Sequence, residues 1–177
     1  MFIYNKKLQY PVKIDKPNPR LASIIISQYG GPDGELGASL RYLSQRYSMP
    51  FDDQKALLTD IGTEELGHLE MIGAIIHQLT RRMTTTQIEN AGLAPYFVDH
   101  TAGVYPTAAS GFPWSAASMQ VKGDPIADLT EDLAADATTL QSQLLKIPVN
   151  FNRNFLRFWI TTIDYNVINQ DINDLAS

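Results

Sequence analysis

The chain has 177 residues, of which 44% are apolar, 19% charged and 10% aromatic; this globular composition is enough for one domain with its own core and excludes disordered, collagen-like and coiled-coil chains. A formal charge of −5, with no basic stripe, argues against nucleic acid as a partner. The absence of cysteine rules out disulfides and thiolate chemistry, so any metal must rest on carboxylates and imidazoles.

The N-terminus from Met1 to Lys7 lacks the apolar run and small-residue cleavage site of a signal peptide. No stretch approaches the roughly 18 to 20 apolar residues of a membrane span, so no membrane partner is expected. Residues 1–20, with Pro11, Pro17 and Pro19 among charges, read as an extended arm. From Leu21 the apolar residues Ile24, Ile25 and Tyr29, then Leu36, Leu40, Leu43 and Tyr47, recur at helical spacing. Gly30-Gly31-Pro32-Asp33-Gly34 interrupts them, predicting either two helices that meet there or one kinked helix. After Met49-Pro50, with Asp52 or Asp53 as cap, a second helix is predicted to run to about Thr80 on a stripe from Leu57 to Leu79. Residues 83–123 form a crossover far longer than an ordinary loop, with one short helix over 84–91.

Asp124-Pro125 opens a further helix to about Leu145, on which Ile126, Leu129, Leu133 and Ala134 mark an inner face. Asp128, Asp132 and Asp136 follow an i, i+4, i+8 line that reads as a solvated face, Asp128 being explained by the helix dipole and Asp136 being a candidate ligand. Pro148 ends this element, and the segment 151–175 fits helix or strand. The pattern as a whole predicts an all-α, ferritin-like four-helix bundle with a long crossover between the second and third helices, the fourth helix being open.

Glu65 and His68 stand three residues apart on the second helix, which leaves their side chains about 60° apart on one face, able to reach one ion. An exposed Glu beside a solvated His is the bland alternative. His77, nine residues after His68, falls half a turn away and reads as a surface or core-edge histidine, as does His100 in the crossover. Glu35 follows the glycine-rich break and precedes Gly37 and Ala38, small residues that permit close helix approach. Tyr42, on nearly the same face, is placed either to donate a hydrogen bond to a liganding carboxylate or to pack in the core.

These residues lie in blocks that closely resemble the manganese catalases and, within them, the spore coat CotJC branch. The blocks run Lys6-Lys7-Leu8-Gln9-Tyr10-Pro11-Val12, then Gln28 to Leu36, Leu40 to Tyr47, Leu57 to Ile72 and Gly123 to Leu129, and the resemblance spans residues 1–136. It implies a bundle that holds two manganese ions and disproportionates hydrogen peroxide to water and oxygen. The family's first-helix Glu maps onto Glu35, and its second-helix Glu and His onto Glu65 and His68. The resemblance also implies a homo-oligomer, other spore coat proteins as partners, and a place in the spore coat after synthesis in the mother cell.

The second half of the family's site departs from the pattern. The third-helix Glu position falls on Asp136, one methylene shorter, and no His follows His100 to serve as the fourth-helix ligand. Residues 137–177 form a divergent tail with no Glu, no His and six Asn, as a divergent paralogue or a reading-frame shift in the gene would produce. A dimanganese catalase with an incomplete site and a structural coat protein without catalysis are therefore both carried forward. The family-specific blocks disfavour a di-iron oxidase.

Overall fold

The computed structural model describes residues 5–8, 11–31, 34–97, 103–105 and 115–144, with the backbone alone over 136–144. Among the described residues there are helices and turns but no strand. They are α1 (Pro19–Ile25), α2 (Ser27–Gly30), α3 (Glu35–Gln45), α4 (Asp52–Thr80), α5 (Thr85–Asn90), α6 (Ala94–Phe97) and α7 (Pro125–Leu144), with 3-10 turns at Arg46–Ser48 and Ala116–Ser118. None of these helices is long and apolar enough to cross a membrane. The chain forms two compact units, Met1–Leu40 with Gly62–Met119 and Arg41–Ile61 with Gln120–Ser177.

In the first unit the arm is tied down by hydrogen bonds rather than left loose. The Gln78 amide acts as a substitute peptide group, accepting from Ile14 N at 2.7 Å and donating to Val12 O at 2.9 Å. Asn18 N donates to Leu79 O at 2.9 Å, and the Asn18 side chain caps α1 by accepting from Leu21 N at 3.1 Å. The helix therefore starts at Pro19, two residues before the apolar pattern does, because the fixed φ of proline suits a first helical position.

The glycine-rich break separates α2 from α3, so two helical segments flank it rather than one kinked helix. A Cβ built on Gly34 would lie 2.9 Å from Gln28 O and 3.0 Å from Ser27 O, so only glycine lets the chain turn this closely into α3. Gly34→Ala is expected to cost about 1–3 kcal/mol, because backbone carbonyls cannot move aside as side-chain tips can. A lowered Tm would show it.

Helix α4 matches its predicted span, and Ile72, Ile75, Ile76 and Leu79 are buried together with Met71. Asp52 and Asp53 both sit in its first turn instead of serving as cap, where they favour the positive helix end. Lys55 Nζ lies 2.9 Å from Asp52 Oδ1, and that hydrogen bond and charge hold the Asp52 carboxyl below its ordinary value. Within the crossover, α5 is fixed by a capping box in which Thr84 Oγ1 accepts from Gln87 N and Gln87 Oε1 accepts from Thr84 N. Leu93, Tyr96 and Phe97 are buried beyond it, and desolvation pushes the Tyr96 phenol up to about 12.

The second unit corrects part of the predicted inner face of α7, keeping Leu129 inside but not Ile126 or Ala134. Asp124 caps the helix, its Oδ1 accepting from Ile126 N at 3.0 Å and from Ala127 N at 3.1 Å. Leu129 is buried, but Ile126 is 42% exposed and Ala134 is exposed, whereas Asp128 and Asp132 are both fully buried. Asp128 and Asp132, which the spacing assigned to solvent, thus lie inside. Backbone donors explain it: Asp128 accepts from Lys122 N at 2.7 Å and Gly123 N at 3.1 Å, closing the loop that leads into the helix. Asp132 Oδ1 accepts at 3.0 Å from Gln45 Nε2, which also donates to Gln120 O at 2.9 Å. The segment 151–175 lies outside the described residues, as does the assignment of a fourth helix to it.

Candidate metal centre

Glu35 is the first residue of α3, where the helix dipole favours a carboxylate. Glu65 and His68 occupy the middle of α4, one turn apart on one face. What brings α3 to them is a contact between small residues: Ser39, one turn after Glu35, donates its hydroxyl hydrogen to the Gly62 carbonyl at 2.6 Å, fully buried. Such a bond is worth about 1 kcal/mol, and its geometry sets the register of α3 against α4. Neither Ser39 nor Gly62 stood out in the sequence. The only signal was the small-residue run Gly37-Ala38-Ser39 at helical spacing from Glu35.

The three side chains meet in the first unit. One ligand atom from each of Glu35, Glu65 and His68 lies within 4.8 Å of the others, and each residue is 94% buried (6% exposed). His68 Nδ1 is 2.6 Å from Glu65 Oε2 and 3.8 Å from Glu35 Oε2. Burial pushes the Glu65 carboxyl up, but hydrogen bonds with His68 and Glu35 and the imidazole charge more than reverse it, so it titrates below its ordinary value.

The donor set fits a divalent cation of intermediate hardness. With both carboxyls ionised the site would carry two negative charges that the interior cannot solvate, and a doubly charged ion would balance both. Two carboxylate oxygens with one imidazole nitrogen are donors suited to manganese or iron rather than to a thiophilic metal. The imidazole presents Nδ1 to both acids.

The sequence also singled out His77, Tyr42, Asp136 and His100. His77 is exposed on α4, away from the acids, as its half-turn offset requires. Tyr42 is buried in the second unit. Asp136 lies in α7, but its side chain, like His100, is outside the described residues.

Comparison with known proteins places this geometry in context. The family model "Manganese containing catalase" matches residues 1–147. Protein CotJC of Bacillus subtilis strain 168 is 54% identical over 136 residues, which is 77% of this chain and 71% of that protein. A probable manganese catalase of Clostridium acetobutylicum is 34% identical over 138 residues, covering 77% of this chain but 61% of that protein. The crystal structure of KatB, a manganese catalase from Anabaena, superposes with a TM-score of 0.83 at 28% identity, covering 99% of this chain and 81% of that one. The fold class is accordingly the all-α, ferritin-like bundle.

Proposed function

The chain belongs to the manganese catalase family, and from that premise we propose that Glu35, Glu65 and His68 hold manganese for the disproportionation of hydrogen peroxide to water and oxygen. The observation that carries this reading is the buried convergence of the three donors within 4.8 Å. A pair of manganese ions would supply the two-electron exchange that each peroxide requires, one electron per ion between the +2 and +3 states, with Glu35, Glu65 and His68 as the donors that would hold the metal. Glu35 and Glu65 supply the anionic oxygens and His68 the nitrogen, and the hydrogen bonds among them orient each donor before the ion arrives. Burial of all three keeps bulk water from competing for the same positions.

The reading includes an incomplete second half. The family's third-helix Glu position carries Asp136, and no His follows His100. The chain also spans only 61% of the Clostridium acetobutylicum protein and 55% of a Bacillus subtilis manganese catalase. The same departure favours a second reading, a structural component of the spore coat that self-associates and keeps the family's body without fast turnover.

Manganese-reconstituted protein is expected to bind fewer than two ions per chain and to evolve oxygen slowly from peroxide. Metal analysis by mass spectrometry alongside an oxygen electrode measures both. Two tightly held ions with rapid oxygen release would contradict the incomplete site, and no retained manganese would leave only the structural reading.

A further inference from the structure

A second candidate site lies in the first unit, where a cavity of about 700 Å³ opens between the start of α1 and the junction of α4 with α5. Arg20, Arg81 and Arg82 all line it, alongside Ser23, Asn90 and Met83, and no carboxylate is among its lining residues. Among the described residues, no ion pair engages any of the three guanidinium groups. The hydrogen bond from Arg81 Nη2, 2.6 Å long, goes to the neutral backbone carbonyl of Asp15. In a chain of net charge −5, three arginines line one cavity with no acid in its lining, and Arg20 and Arg82 are exposed, open to an incoming anion.

The dipole of α4 accounts for cations just past its C-terminus, but not for Arg20 on another helix. Nor does it account for the backbone of Arg82, whose φ of 64° is left-handed. That position, two residues after the end of α4, is one that glycine usually fills because a Cβ is strained there. A side chain kept at a conformational cost on the rim of a cavity points to a use for that side chain. The volume falls in the range of small-molecule sites, and guanidinium forks match the paired oxygens of phosphate and carboxylate.

We propose that this cavity binds a small polyanion, a molecule carrying two or more phosphate or carboxylate groups. The site is independent of the metal centre. Calorimetric titration of the full chain at about 0.15 M salt tests it, with fructose 1,6-bisphosphate as the phosphate probe and tricarballylate as the carboxylate probe. Saturable binding of at least one probe is expected, weakened roughly tenfold by Arg20→Gln and by Arg82→Gly. Arg82→Gly is the sharper variant, because glycine relieves the left-handed backbone. Its Tm should rise while its affinity falls, a pairing that a purely structural arginine does not produce. The proposal is overturned if neither probe saturates, or if binding survives both substitutions. It is equally overturned if a glutamate-rich peptide binds through these arginines while both small probes fail, which would assign the surface to a protein partner.

Discussion

Glu65→Ala is expected to lower manganese affinity by at least about 100-fold, while His77→Ala on the same helix leaves it unchanged. Loss of a supporting group around a metal already costs roughly 10- to 100-fold, and Glu65 is the acid nearest both other donors. It lies 2.6 Å from His68 Nδ1 and hydrogen-bonds Glu35. Without it the site keeps one carboxylate for a doubly charged ion. Alanine is the best helix former, so the 29-residue α4 should persist and the variant should fold. Manganese EPR with chelator competition reads the affinity. Thermal denaturation supplies a second measure, since an ion held by the native state alone raises Tm and that rise should disappear in the variant. Equal losses from Glu65→Ala and His77→Ala would refute the assignment of the ligand face of α4, because His77 is exposed and half a turn away.

Asp128→Ala is expected to destabilise the fold by about 2–4 kcal/mol, since two backbone donors, Lys122 N and Gly123 N, lose their acceptor together. At this chain length that corresponds to a fall in Tm of about 5–15 °C. Asp128→Asn should lose about half as much, because an amide keeps one accepting oxygen while turning its NH2 toward the other donor. Chemical denaturation of the three proteins orders them. If Asp128→Ala is no less stable than the parent, the carboxylate is not what closes the loop into α7. An acid stabilised only by the helix dipole at the surface would be worth about 0.3–1 kcal/mol, which separates the two accounts.

Asp128 also shows where sequence reasoning stops. Its i, i+4 spacing with Asp132 places the two on one line of a helix but says nothing about which way that line turns. Among the apolar residues nearby Leu129 pointed inward correctly, but Ile126 did not, being 42% exposed, and a carboxylate with backbone partners fills an interior position beside Leu129. The break at Gly30 to Gly34 was visible as a break, yet the tightness that excludes a Cβ at Gly34 depends on carbonyls six and seven residues upstream. By contrast α4, α5 and the start of α7 follow their predicted spans closely, since their periodicity and caps act over a few residues.

What the sequence determined by itself was the helical class, the span of α4, the one-turn pairing of Glu65 with His68 and, through resemblance, the family. These depend on contacts within a turn or on blocks of residues read in order. The same resemblance implied that Glu35 joins that pair, whereas tertiary structure alone decided that Ser39 locks onto Gly62, that two aspartates lie inside, and that Arg20 shares a cavity with Arg81 and Arg82. Each of these joins residues from different helices, or turns a helix face inward, and no local spacing encodes which surfaces the folded chain presses together.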